Sequence, residues 1–389
     1  MRARTRRRSD LAIALLILVA GGSSAAQDRP RARDLGVPFD GRPGALNAIT
    51  DLPGVEVGHS TIITGQGPLV RGEGPVRTGV TAVLPRGKVS DEPVFAAWFS
   101  LNGNGEMTGT TWVEDSGVLE GPLMITNTHS VGVVRDAVIA WRLRKAGPDH
   151  EGFAWSLPVV AETWDGYLND TNGFHVKEAH VFEALDRSSG GRVVEGNVGG
   201  GTGMICHEFK GGIGTASRVV DTGPGSYTLG VIVQANYGLR RQLRIAGAPV
   251  GVEITEGTVW REEQGSIIIV IATDAPLLPH QLKRVARRAS LGLARMGSTS
   301  GNGSGDIFVA FSTANAGAAG SRGLAGAQVL SNDLIDPLFE AAVQATEEAI
   351  VNALVAAETM TGRDGRRVLA LPHDRLREIL KKYNRLTGK

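Results

Sequence analysis

Apolar positions along the chain follow two periods, and the shorter period predicts several strands. The longest apolar run, 267–271, consists of five β-branched residues and is typical of a strand that is buried on both faces. Shorter strand patterns separated by Gly, Pro and Asn flank this run. These further predicted strands are GVEVGHSTI, GVTAVLP, PVFAAWFSL, TGTTWVED, SYTLGVIVQANYG and DIFVAFSTAN.

Helical spacing is clearest in three segments. Residues 129–147 end at a glycine, and residues 280–297 carry an apolar stripe along one face. The segment 335–361 begins with Asp336 as the predicted cap and Pro337 in the first turn. Because it is apolar around much of its circumference, we expect it to lie against a sheet or a neighbouring subunit. A short helix, DRLREILKKY, is predicted near the end of the chain.

The first 26 residues have the pattern of a secretory signal. Five arginines precede a ten-residue apolar run, which is followed by small residues up to Ala26. The run is too short to span a membrane as a helix, although a membrane anchor is the alternative interpretation. We therefore predict removal of 1–26 and export to the periplasm, with no membrane contact afterwards. Residues 27–50 form a polar, Pro/Arg-rich extended arm, and 51–389 form one domain of strands between helix layers.

Composition and charge narrow the classes of function. The 389 residues are 42% hydrophobic and 21% charged, which fits a globular protein with a large core. Without the signal, the 41 basic and 40 acidic residues fall to 36 and 39, because 1–26 holds five arginines and one aspartate. With no basic stripe, nucleic-acid binding is disfavoured. Cys206 is the only cysteine, so a disulfide within the chain is impossible.

Several common site motifs are missing from the sequence. There is no HExxH, paired CxxC or EF-hand loop, so neither a metal nor another cofactor is expected. There is no GxSxG, which disfavours an α/β-hydrolase. The glycine-rich stretch 196–203 lacks the GK[ST] ending of a phosphate-binding loop and does not fit GxGxxG.

A glycine and a serine, Gly265 and Ser266, stand directly before the long apolar run. A Gly-Ser pair at the start of a strand is most simply a turn. The alternative is self-cleavage, because a serine hydroxyl can attack the preceding carbonyl and form an ester that water hydrolyses. Glycine suits the upstream position since it lacks Cβ and permits unusual backbone angles. After the cut, Ser266 would carry both a nucleophilic hydroxyl and an α-amine with a reference pKa of about 7.7–8.0.

The stretches around this junction carry a family resemblance. They are NAITDLPGVEVGHSTI, GVTAVLPRG, LNGNGEMTG, GPLMITNTHSVGVVRDA, VVAETWDGYLND, GNVGGGTGMICHEFKGGIGTASR, GVIVQANYG, GSIIIVIATDAPLLPHQLKR and GSTSGNGSGDIFVAFSTAN. With these stretches, which span nearly all of the chain after the signal, the sequence resembles the self-processing L-aminopeptidase/D-esterase and β-peptidyl aminopeptidase family.

The resemblance implies an architecture and a processing event. The fold would be an α/β, αββα sandwich like that of N-terminal-nucleophile hydrolases, with a different strand connectivity that ornithine acetyltransferase shares. Cleavage between Gly265 and Ser266 would give an α chain, 27–265, and a β chain, 266–389, that stay together. The family also forms homotetramers of αβ units, so we expect a homo-oligomer.

The resemblance assigns roles to four residues of the reaction site. Ser266 is similar to the family's nucleophile, both for self-cleavage and for turnover. Ser304 and Asp306, in GNGSGD, match the serine and the acidic residue that orient the nucleophile and relay protons. Asn236 matches the donor to the developing oxyanion, a role for which a neutral amide is well suited. The residues leave open whether the base is the Ser266 α-amine or the Ser304 network.

Two further residues are expected to bind substrate. Glu162 matches the carboxylate that binds the substrate's free ammonium group, and an anion in a closed pocket suits that task. Trp164 stands where some relatives have a tyrosine near the nucleophile. If a phenol takes part in catalysis there, Tyr167 or a water must replace it; otherwise Trp164 shapes the pocket for the substrate side chain.

The predicted function is hydrolysis of the N-terminal residue from small peptides, amides or esters through an acyl-enzyme on Ser266. The sequence does not distinguish L-, D- or β-amino acid substrates. One alternative is a processed but inactive periplasmic peptide-binding protein. A less favoured alternative is an acyltransferase like ornithine acetyltransferase, whose nucleophile is threonine and which works inside the cell.

Overall fold

The computed structural model describes residues 29–146, 155–260, 262–321 and 323–387. The predicted signal, 1–26, lies outside these residues. The strands are β1 Glu56–Thr64, β2 Val76–Leu84, β3 Val94–Ser100, β4 Val118–Leu119, β5 Leu123–Asn127, β6 Val159–Thr163, β7 Ile205–Cys206, β8 Phe209–Lys210, β9 Gly212–Asp221, β10 Ser226–Asn236, β11 Ser266–Thr273, β12 Ile307–Ser312, β13 Met360–Thr361 and β14 Arg367–Val368. The helices are α1 Thr110–Ser116, α2 Val131–Ala146, α3 Glu178–Asp186, α4 Val250–Glu253, α5 Pro279–Arg295, α6 Asp336–Ala356 and α7 His373–Lys382.

Two sheets packed face to face form the centre of the molecule. One has the strand order β1-β2-β5-β6, and the other has the order β4-β3-β12-β11-β10-β9. Side chains of both sheets share one buried apolar cluster. A second cluster joins the four-stranded sheet to α2 and α3, and a third joins the six-stranded sheet to α5 and α6. These layers confirm the predicted αββα sandwich.

Strand β11, which contains the run 267–271, lies inside the six-stranded sheet. It pairs antiparallel with β10 and parallel with β12. All eight of its residues are buried. Ile267 and Ile269 face the helix layer, whereas Ile268 and Val270 face the other sheet. Both faces of the strand are therefore in apolar surroundings, as the unbroken β-branched run predicts.

The predicted helices differ from the observed ones mainly at their ends. The segment 129–147 forms α2, and 280–297 forms α5. The segment 335–361 forms the shorter helix α6, which has proline in its first turn. The capping prediction was wrong, because Asp336 lies inside the helix and no side chain caps its start. Helix α6 packs against β9, β10 and α5, so its apolar circumference is buried within the chain.

One predicted strand was wrong. TGTTWVED forms α1, not a strand. Gly109 and Gly117 flank this helix with φ of 72° and 71°, a left-handed conformation that glycine adopts without steric cost. These two helix ends outweigh the strand preference of the β-branched residues between them.

Residues 29–50, within the predicted N-terminal arm, contact α6. They include a short 3-10 helix, Ala32–Leu35. The buried backbone N–H of Ala32 donates to Asn352 Oδ1 at 3.0 Å, and Arg33 forms an ion pair with the buried Glu348 at 2.7 Å. Within the ranges that the structure describes, no helix has both the length and the apolar character needed to cross a membrane.

Candidate active site

Ser266 is the first residue of β11 and lies at the edge of a cleft. The cleft has a volume of about 450 Å³ and is lined by Asn104, Gly105, Glu106, Thr128, Glu162, Trp164, Glu263, Gln264, Gly265, Ser266 and Gly303. The Ser266 Oγ accepts a hydrogen bond from the backbone N–H of Gly305 at 3.0 Å. Because all residues of the strand are buried and Gly305 donates to Oγ, the hydroxyl is held beside the peptide bond that precedes it.

Gly265 has a backbone conformation that other residues rarely adopt. Its φ is 106°, and a Cβ at this position would lie 1.9 Å from the carbonyl oxygen of Asn236. Both facts require glycine directly before Ser266. The Gly-Ser pair is thus more specific than an ordinary turn, because the backbone of β10 approaches the Gly265–Ser266 bond closely.

Ser304 and Asp306 lie behind the nucleophile, on the loop that leads into β12. The Ser304 hydroxyl donates to Asp306 Oδ2 at 3.0 Å, and the backbone N–H of Ile267 donates to Asp306 Oδ1 at 3.2 Å. Ser304 and Asp306 are buried. Burial raises the pKa of the Asp306 carboxyl from 3.8 to about 6, although hydrogen bonds to the carboxylate oppose this shift. Burial thus brings the pKa of this carboxyl closer to neutral pH than that of an ordinary aspartate.

Asn102, which the sequence did not single out, determines the direction of this network. Its Nδ2 donates to the carbonyl of Gly301 at 2.6 Å and to Ser304 Oγ at 3.0 Å. The carbonyl of Gly301 can only accept, so it fixes which end of the amide faces the loop. Because Ser304 Oγ accepts from Asn102, the Ser304 hydrogen is directed to Asp306. A proton that reaches Ser304 thus has a defined acceptor.

Asn236 lies opposite Ser266 in the pairing of β10 with β11. Its Oδ1 accepts from the backbone N–H of Ile205 at 2.8 Å, which fixes the orientation of the amide. Its Nδ2 donates to the carbonyl of Trp164 at 2.9 Å, and no acceptor for the second Nδ2 hydrogen lies among the described residues. The amide is adjacent to Gly265, which fits a donor to an oxyanion formed there.

Glu162, on β6, closes the other side of the cleft and is only 4% exposed. Its Oε1 accepts from the backbone N–H of Glu106 at 3.0 Å, and Oε2 accepts from the Thr128 hydroxyl. Burial raises the pKa of this carboxyl above its ordinary value, against the two hydrogen bonds. A cationic group that enters the cleft would stabilise the ionised form, so the site favours an ammonium ligand.

Trp164 also lines the cleft, and its ring lies 6.3 Å from that of Trp260. The ring of Tyr167 contacts Trp260 edge-on at 4.8 Å, and the guanidinium of Arg366 lies 4.9 Å from the centre of the Tyr167 ring. Tyr167 is not among the described residues that line the cleft. The structure therefore gives no support to Tyr167 as a replacement for a catalytic phenol, and it favours Trp164 as a wall of the substrate pocket.

Comparison with known proteins identifies the family. Residues 47–368 match the model of peptidase family S58. The chain is 58% identical over 388 residues to beta-peptidyl aminopeptidase BapA of Sphingosinicella microcystinivorans, with 96% of each chain covered. It is 50% identical over 388 residues to BapA of Sphingosinicella xenopeptidilytica, with 95% of each covered.

A solved structure has the same fold. The L-aminopeptidase D-ala-esterase/amidase from Ochrobactrum anthropi, described as a prototype for the serine aminopeptidases and a new variant of the Ntn hydrolase fold, is 50% identical with a TM-score of 0.86. The alignment covers 92% of this chain and 100% of that one. The chain belongs to peptidase family S58. It has the Ntn hydrolase type of fold and is an aminopeptidase, so neither the binding-protein nor the acyltransferase alternative is favoured.

Proposed function

We propose that the chain is a self-processing serine aminopeptidase that uses Ser266 twice. The observation that carries this proposal is the position of Ser266 Oγ. Ser266 is the first residue of a buried strand and directly follows Gly265, whose backbone conformation and close contact with β10 suit only a glycine. In the first reaction, Oγ attacks the Gly265 carbonyl carbon and the peptide nitrogen leaves as the α-amine of Ser266. Water then hydrolyses the ester, which gives an α chain ending at Gly265 and a β chain starting at Ser266.

The second reaction is turnover of a substrate with a free amino group. Glu162 binds the ammonium group, and Ser266 Oγ attacks the first amide carbonyl while its proton passes to one of the two candidate bases, the Ser266 α-amine or the Ser304–Asp306 pair. The Asn236 amide donates to the oxyanion, a contribution typically worth about 10²–10³ in rate. The amine leaves with a proton, and water hydrolyses the acyl-enzyme.

We propose that the preferred substrates begin with a β-amino acid. Two curated relatives at 58% and 50% identity are named beta-peptidyl aminopeptidases. A relative of similar identity is named an L-aminopeptidase and D-ala-esterase/amidase, so α-amino acid amides and esters are the comparison substrates. A β-amino acid places its amino group one methylene farther from the carbonyl than an α-amino acid does, and a difference of one methylene is worth only about 1–3 kcal/mol.

Export, removal of 1–26, a periplasmic location and assembly into a homotetramer of αβ units stay predictions. The apolar circumference of α6 no longer argues for assembly, because the sheet and α5 cover it. Size-exclusion chromatography with light scattering would measure the assembly directly.

The test of the proposed function combines processing with turnover. On a denaturing gel, the purified protein should give two bands of about 25 and 13 kDa, from 40.9 kDa over 389 residues. Sequencing of the smaller band should begin at Ser266. The same material should release β-alanine from β-alanyl amide faster than it releases alanine from L- or D-alanyl amide. A single band with full activity would contradict the proposal.

The pH dependence of kcat distinguishes the two candidate bases. If the Ser304–Asp306 network accepts the proton, Asp306 must be ionised, so kcat should fall on the acid side with an apparent pKa near 6. At saturating substrate, the substrate's ammonium group is bound to Glu162, so titration of Glu162 does not contribute to the pH dependence of kcat. D306N should lose this acid limb together with most of the rate. A limb at about 7.7–8.0, the reference range of an α-amine, would instead assign the base to the Ser266 amine.

A further inference from the structure

We propose that Glu263 is a positioning residue for self-cleavage and has no role in turnover. This inference rests on the proposed self-cleavage at Gly265–Ser266. In the uncut chain, the backbone N–H of Gly301 donates to Glu263 Oε2 at 3.1 Å. Gly301 belongs to the loop that also carries Ser304 and the N–H donor to the Ser266 hydroxyl.

Glu263 connects the two sides of the reacting bond. Its carboxylate contacts Gly301, and its carbonyl oxygen lies 3.1 Å from where a Cβ on Gly303 would be. The segment that supplies the electrophile, 263–265, is thereby packed against the loop that orients the nucleophile. Asn102 and Asn104 also bind this loop, through hydrogen bonds to the carbonyls of Gly301 and Gly303. Glu263 therefore fixes the Gly265 carbonyl relative to Ser266.

The chain on the upstream side of this segment is anchored separately. The backbone N–H groups of Val259 and Trp260 both donate to one carboxylate oxygen of the buried Glu208. Strand β11 anchors the downstream side. Glu263 lies between these two anchored parts of the chain. Its contact with Gly301 therefore holds the segment that contains the reacting carbonyl of Gly265.

The position of Glu263 is unfavourable unless the chain holds it there. Its Oε1 is buried and has no hydrogen-bond partner among the described residues. A buried carboxylate oxygen without a partner costs free energy. The side chain also lines the same cleft as Glu162 and Glu106, so three carboxylates lie there together. Asp306 is a fourth nearby anion, since Glu263 contributes to its raised pKa.

Cleavage removes the restraint that holds Glu263 in place. Once the Gly265–Ser266 bond is cut, Glu263 lies two residues from a free carboxyl terminus. Repulsion from the other carboxylates then favours withdrawal of 263–265 from the cleft, which would leave the space to substrate. The side chain would thus act before the cut and be absent from the site afterwards.

The test measures processing and turnover separately. Wild type, E263A, E263Q and the control E262A, which changes the exposed neighbouring acid, are made by cell-free translation. After synthesis is stopped, conversion of the single band into two is timed on denaturing gels. We expect E263A to be cut at least tenfold more slowly and E262A at the wild-type rate. E263Q keeps an oxygen that accepts from Gly301, so it should be cut within about threefold of the wild-type rate.

The fully cut proteins are then compared as enzymes, with thermal melting as the check on folding. The kcat and KM of cut E263A for β-alanyl amide should each lie within twofold of wild type. Wild-type processing of E263A, or a turnover defect as large as its processing defect, would overturn the inference. Failure of the wild type itself to be cut would instead refute the proposed function, so the two failures are distinguishable.

Discussion

The substitution S266A is expected to give one uncut polypeptide with no aminopeptidase activity. The substitution removes only the side-chain hydroxyl, which is the proposed nucleophile in both reactions. Loss of a nucleophile costs on the order of 10⁶ in kcat in a serine hydrolase, so no release of amino acid should be detectable above background. A denaturing gel and a β-alanyl amide assay on the same sample measure both effects.

The matched control is S266T, which keeps a hydroxyl on the same carbon. We expect S266T to be cut slowly and to retain measurable turnover, because the added methyl group disturbs packing without removing the reacting oxygen. Two bands from S266A, with a fragment starting at residue 266, would show that another group cuts the chain. An active but uncut S266A would refute the whole mechanism.

The substitution E162Q is expected to impair substrate binding while self-cleavage continues. A hydrogen bond to a charged group is worth about 1.5–3 kcal/mol, so kcat/KM for a substrate with a free amino group should fall roughly 10- to 150-fold. Self-cleavage needs no ammonium group, since the reacting carbonyl belongs to the chain itself. The gel should therefore still show two bands.

Two controls separate recognition of the ammonium from general damage to the cleft. E106Q removes an exposed carboxylate whose charge acts on Glu162, but it keeps the backbone N–H that donates to Glu162, so the loss should be much smaller than that caused by E162Q. A substrate analogue without the amino group should be affected equally little by E162Q, which a double-mutant cycle tests. An equal loss for both substrates would assign Glu162 a purely structural role.

Strand β11 and the layers around it could be predicted from the sequence because the signal lies in a short run of neighbouring residues. Five consecutive β-branched residues need apolar contacts on both sides, and a strand between two packed layers supplies them. The family resemblance supplied Ser304 and Asp306, and the structure brings both within the network behind Ser266. The sequence also explained in outline why residue 265 is a glycine, because its close contact with β10 leaves no room for a Cβ.

Asn102 and α1 were missed for two different physical reasons. The partners of Asn102 lie 199 and 202 positions away, and no pattern near residue 102 reveals such contacts. The stretch LNGNGEMTG was noticed, but its Asn-Gly repeats fit a turn equally well. Helix α1 depends on the left-handed glycines at its two ends, whereas the residues between them prefer a strand. Distant contacts and backbone reversals therefore account for these two omissions.

The six-stranded sheet contains strands from both sides of the proposed cut. Strands β3, β4, β9 and β10 precede Ser266, whereas β11 and β12 follow it and lie between them. Separating the two products thus requires dismantling the main core, so dissociation and unfolding become the same event. Folding of the precursor is unimolecular, but recovery of the cut form from denaturant is second order. The yield of refolded cut protein should therefore rise with protein concentration. Because the cut chains must find each other to refold, whereas the precursor does not, maturation is kinetically a one-way step.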